Sequence, residues 1–217
     1  MNDTTWNTTK DIFDSISNAG IEYVVLRNYE SIGDNEILIS GHGDIDLLCD
    51  NYKKVVKILD AKRIYRFPNR NSFLIKFQNV DVQVDIRFIG DGYYDTKWEE
   101  QLLRTRILYK ETCYVVNQEM YFYSLIYHAI FQKDSLSKEY FLRLCSMAKL
   151  QNLVVKDEQH LKELLFDYMI KNGYQFTFTK DPAVVLNFSE VNKKMIKKDN
   201  LRILQRMLFN YCRRAYD

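Results

Sequence analysis

Two aspartates stand two positions apart in the run Asp44-Ile45-Asp46-Leu47-Leu48-Cys49. On an extended strand that spacing sends both carboxylates out of one face. Ile45, Leu47 and Leu48 supply the apolar contacts that fix the strand in a core. Two carboxylates held this close repel each other unless a cation lies between them. Oxygen donors without His or Cys favour a hard divalent ion, Mg²⁺, with Mn²⁺ as the alternative. A third carboxylate, Asp85, lies in the alternating run Val80–Phe88. There Val80, Val82, Val84 and Ile86 face one way, and Asp81, Gln83, Asp85 and Arg87 the other. If the two strands are neighbours, Asp44, Asp46 and Asp85 converge and can hold two ions against a triphosphate, the arrangement used for in-line phosphoryl transfer. Asp81 shares the polar face and is the alternative third ligand, nearer the turn.

Further candidates surround this trio. Arg27 leaves an apolar strand, where a guanidinium can grip phosphate with two parallel hydrogen bonds or can serve as a structural ion pair. Gly41, His42 and Gly43 form a loop directly before Asp44, placing His42 and Gly43 near the expected phosphates. His128 and Lys133 sit on a helix where Tyr121, Leu125, His128 and Gln132 recur at helical spacing. One face of that helix could look into a cleft, although a His among Tyr and Leu is more often a hydrogen-bonded core residue. Tyr93, Tyr94 and Trp98 could stack on a base or sugar, with packing as the plainer role.

The elements needed to position these residues can be read along the chain. Thr8 or Thr9 caps a first helix with Ile12, Phe13 and Ile16 on one face, closed by Gly20. Ile21–Arg27 is a β-rich run, Asp44–Cys49 the next strand, and Tyr52–Lys62 a helix. Ser72–Gln78 and Val80–Phe88 form a hairpin, and Thr96–Arg104 a short helix. Cys113–Val116 is a short strand. Helices follow from Asn117 to about Gln132, from Lys138 to Leu150 behind Ser137, over Glu158–Asn172 with Gly173 as the stop, and over Asn200–Arg214. Residues 1–116 therefore read as an α/β core and 117–217 as a C-terminal helical region.

With 217 residues, 47% hydrophobic and 14% aromatic, the chain can bury a substantial core. Its 31 Lys+Arg against 29 Asp+Glu leave no cationic surplus for general nucleic-acid binding. The pairs Lys193–Lys194 and Lys197–Lys198 read as a solvated helix face. Cys49, Cys113, Cys145 and Cys212 show no metal-ligand spacing and are expected as free thiols of a reducing compartment. No leader-like stretch opens the chain and no apolar run approaches a membrane span, so a soluble cytoplasmic protein is expected.

Asp44-Ile45-Asp46-Leu47 followed by Val84-Asp85-Ile86 resembles the paired strand motifs of the polymerase-β-like nucleotidyltransferases, over roughly Ile21 to Phe88. The wider pattern YVVLRNYE, GDIDLL, VDIRF, DGYYD, YHAIFQK and KDPAVVLN is similar to a branch of that superfamily associated with bacterial surface-polysaccharide genes. The resemblance implies an α+β fold, a nucleotidyltransferase-type mixed sheet with flanking helices followed by helices. It also implies transfer of a nucleoside monophosphate from a nucleoside triphosphate to a hydroxyl acceptor such as a sugar or polyol. Asp44 and Asp46 would bind the metal on the β- and γ-phosphates and share a second ion. Asp85 would complete that second site and help deprotonate the acceptor. The superfamily usually carries a Gly-Gly or Gly-Ser turn after the first strand; here the place reads Val25-Leu26-Arg27-Asn28-Tyr29, leaving Arg27 or Asn28 to meet the phosphates with side chains. Transfer of AMP to a protein, as in antitoxin-like members, and an inactive nucleotide-binding module are the alternatives. A kinase ranks behind them, since neither a G-x-x-x-x-G-K-[ST] loop nor an HRD/DFG pair is present.

Overall fold

The computed structural model describes residues 4–32, 44–64, 71–179, 181, 184, 186–199, 201, 202, 204 and 208. His42, Gly43 and most of the helix expected over 200–214 lie outside them, as does Cys212. The fold is α+β, and its chain separates into two compact units. The first comprises Met1–Asp91 and Glu99–Asn117, the second Gly92–Trp98 and Gln118–Asp217. The segment Gly92–Trp98 thus goes with the helical part rather than the sheet, a detail that a single boundary at 116/117 does not contain.

The first unit is built on a mixed, 8-stranded sheet. Its strands are β1 (Thr5–Trp6), β2 (Tyr23–Val25), β3 (Ile45–Cys49), β4 (Lys62–Arg63), β5 (Ser72–Phe77), β6 (Val80–Phe88), β7 (Ile107–Tyr109) and β8 (Cys113–Val115). They run in the order β1-β5-β6-β3-β2-β8-β7, with β4 alongside β5. The β5–β6 hairpin forms where alternation predicts it, turning through Gln78 at φ 50°. Helices α1 (Thr9–Asn18) and α2 (Tyr52–Ile58) belong to this unit. Thr8 caps α1 with a capping box shared with Asp11.

One face of the sheet is apolar: Val25, Ile45, Leu47, Val84 and Ile86 are fully buried together with Ile12, Phe13 and Ile16 of α1 and Val55 of α2. This period-2 segregation commits the alternate residues of β3 and β6 to the opposite face.

Several expected boundaries need correcting. The strand expected over 21–27 spans only Tyr23–Val25, because Asn28 turns left-handed at φ 57° into a 3₁₀ turn over Tyr29–Ser31. The helix expected to reach Lys62 ends at Ile58; Asp60 takes φ 48°, and Lys62–Arg63 pair with β5 instead. β1, β4 and β7 are too short to announce themselves by periodicity, and each is defined by its partner strand.

In the second unit, α4 (Gln118–Ile126) continues as a π-helical turn over Tyr127–Phe131, where one unbroken α-helix was expected. The helices α5 (Lys138–Leu150) and α6 (Glu158–Asn172) start and stop as their caps dictate: Ser137 and Asp157 accept from backbone N–H groups, and Gly173 ends α6 at φ 68°. The helix α3 (Thr96–Arg104) contains the unit boundary. Its Trp98 is fully buried in the second unit with Tyr94, Tyr127 and Phe176, so aromatic packing, not ligand stacking, is the role of Tyr94 and Trp98. The lysine pairs at 193–198 are exposed but lie on a 3₁₀ turn and on the irregular chain after it, not on an α-helix. No helix among the described residues is long and apolar enough to cross a membrane.

Candidate functional site

The strands β3 and β6 lie side by side and parallel, with Asp46 directly opposite Asp85. Residues paired in register share a face, so both carboxylates leave the sheet on the side away from α1. Asp81 sits four positions earlier on β6 and pairs with Lys76 at 2.8 Å near the hairpin turn. The register therefore selects Asp85 over Asp81 as the partner of Asp46.

The two acids differ sharply in environment. Asp46 is 1% exposed. Its Oδ1 accepts from Arg27 Nη2 at 2.5 Å, and its Oδ2 is buried with no hydrogen-bond partner among the described residues. Asp85 is partly open, accepting from Gln83 Nε2 at 3.2 Å, with Arg87 Nη2 3.9 Å away. Asp44, just before β3, is exposed, and close enough for its charge to act on Asp46.

Burial pushes the Asp46 carboxyl up from its ordinary 3.8 to about 6. Arg27 draws it down and the charges of Asp44 and Asp85 add to the rise. A carboxyl whose native pKa lies above its unfolded one binds more protons when folded. Its stabilising contribution is complete below about pH 3.8 and is lost as pH rises through about 6. Urea unfolding without divalent cations should show the wild type losing stability relative to Asp46→Asn across that window; parallel profiles would refute the assignment.

Arg27 takes the ion-pair role that was one of its two readings; it is about 9% exposed. Asn28 is half-buried at the left-handed turn and caps nothing with its side chain. His128 and Lys133 belong to the second unit. There His128 is buried in the π-helical turn, with Nδ1 3.2 Å from both the Tyr93 hydroxyl and Gln132 Oε1. Gln132 Nε2 in turn donates to the Tyr93 carbonyl at 3.0 Å. This is the hydrogen-bonded core arrangement. Lys133 is exposed.

Sequence reading missed Arg87. It is 3% exposed, between Asp85 and the wholly buried Asp91, whose Oδ2 lies 4.0 Å from Nη1. Asn71 donates to the same Asp91 oxygen at 3.4 Å. An arginine two residues after Asp85, on a strand of otherwise alternating valines, was the available signal.

The donor chemistry suits a hard divalent cation: only carboxylate oxygens, one of them a buried Oδ2 that no described residue satisfies. The placement is less complete. Among the described residues, no group of three His, Cys, Asp or Glu is arranged to hold a metal ion, and the positive charge in contact with Asp46 is Arg27. No family model, curated protein or solved structure matches the chain.

Proposed function

We propose that the chain is a divalent-cation-dependent nucleotidyltransferase that moves a nucleoside monophosphate from a nucleoside triphosphate to a hydroxyl acceptor, releasing pyrophosphate. The observation that carries this reading is the parallel register of β3 and β6, which sets Asp46 against Asp85 on the sheet face opposite Ile45, Leu47, Val84 and Ile86. The strand motifs that resemble the polymerase-β-like superfamily fall on these two strands, and the α+β frame suits it. In this reading Asp44, Asp46 and Asp85 hold Mg²⁺ or Mn²⁺, which supplies charge neutralisation on the triphosphate. Asp85, the more open of the two paired acids, is positioned to accept the proton of an incoming hydroxyl. Arg27 and Asn28, at the place of the superfamily's glycine turn, meet phosphate with side chains.

The Arg27–Asp46 pair favours one second reading, a nucleotide-binding module without turnover. Incubation with Mg²⁺ and α-labelled nucleoside triphosphates separates the possibilities. Label on a small hydroxyl compound with pyrophosphate release is the expected result, whereas label on a protein band identifies AMP transfer to protein. Transfer from γ-labelled nucleotide would make the chain a kinase. Calorimetry that detects no binding of any Mg²⁺-nucleoside triphosphate would end the proposal.

A further inference from the structure

The contact between Arg27 and Asp46 has a consequence for how a cation enters. Asp46 is buried, one of its oxygens is held by a guanidinium at 2.5 Å, and the other is aimed where no described group satisfies it. A carboxylate in so little water keeps its charge only beside a positive partner, and the arginine is that partner. A divalent ion drawn to Oδ2 would stand within a few ångströms of the guanidinium, and two positive groups that close on one carboxylate repel each other strongly.

We infer that Arg27 is the resident counter-cation of Asp46, and that a divalent ion takes its place, releasing the guanidinium to bind the polyphosphate arriving with that ion. This rests on the nucleotidyltransferase reading and adds to it a coupling between cation and nucleotide. The arginine serves two anions in turn: the Asp46 carboxylate in the unloaded protein, and phosphate oxygens in the loaded one. Its planar fork of donors fits either. Arg27 lies two residues beyond the end of β2 and directly before the left-handed backbone at Asn28, so its side chain is carried past the strand end rather than in its middle.

The exchange can be followed without turnover. In wild-type protein labelled with ¹⁵N-arginine, the Arg27 Nε–H resonance is assigned by its loss in Arg27→Lys and titrated with Mg²⁺ alone. A saturable shift of that resonance is the expected result, because an arginine with a purely structural role would stay paired. In parallel, Mn²⁺ binding is measured by electron paramagnetic resonance. Arg27→Gln should bind Mn²⁺ about tenfold more tightly than wild type and Mg²⁺-ATP about tenfold more weakly, with Arg27→Lys between the two. Divalent binding that leaves the Arg27 signal unmoved overturns the exchange while sparing the nucleotidyltransferase reading, as does Mn²⁺ affinity that fails to rise in Arg27→Gln. If neither wild type nor Arg27→Gln binds a divalent ion or its nucleotide complex, both fall. Should Arg27→Gln not fold, the wild-type titration decides the matter.

Discussion

Replacing Asp46 with Leu should destabilise the sheet unit by about 3–5 kcal/mol, the cost of leaving a buried cation without its counter-charge. Arg27 is about 9% exposed and Asp46 1% exposed, with the ion pair at 2.5 Å. Removing only the acid strands the guanidinium on the polar face of β3. Replacing both partners, Arg27→Met with Asp46→Leu, removes the charge along with its partner and should recover most of that loss, because an apolar pair of similar volume needs no desolvation. Urea unfolding of the two single mutants and the double mutant gives the coupling directly. Single mutants as stable as wild type would show that the pair is solvated and uncoupled. The double mutant also separates structure from chemistry: folded but devoid of nucleotidyl transfer is the expected result, and retained transfer would remove Asp46 from the proposed site.

The second large effect is expected at Trp98. Its ring is fully buried and stacks on Tyr174 with centroids 5.1 Å apart and planes 6° from parallel. Tyr94, Tyr127 and Tyr168 stand at 5.0, 5.6 and 5.6 Å. Trp98→Ala removes the centre of this cluster and should cost about 3–5 kcal/mol, since the surrounding rings can collapse only in part. Trp98→Phe should cost far less. The indole Nε1 has no hydrogen-bond partner among the described residues, so phenylalanine forfeits area without forfeiting a bond. Near-ultraviolet circular dichroism and thermal unfolding report the difference. An alanine variant as stable as the phenylalanine variant would refute the packing role.

The runs that carry Asp46 and Asp85 lie side by side in the sheet, with the two residues in register. The alternation in Val80–Phe88 already committed Asp85 to the face opposite Val84 and Ile86, and the spacing of Asp44 and Asp46 already placed those two together. Whether the two strands were neighbours, and in which register, was not contained in either run. One residue of slip would have sent Asp85 into the core. The β3–β6 pairing settles that register.

By itself, the sequence determined the elements whose signals are local. Capping residues and a glycine stop set α5 and α6, period-2 alternation set the β5–β6 hairpin, and the buried face of α1 follows from the spacing of Ile12, Phe13 and Ile16. These depend on neighbours within a few positions, and such interactions are written in order along the chain. Tertiary structure alone decided what depends on partners far away. It made strands of Thr5–Trp6 and Lys62–Arg63, ended β2 at Val25, and gave Arg27 to Asp46 and Arg87 to Asp85 and Asp91. A two-residue strand has no period to read, and a buried charge reveals its partner only when the chain brings the opposite charge to it. The residue types of the candidate site were legible, but its electrostatic balance was not, because that balance is a property of burial.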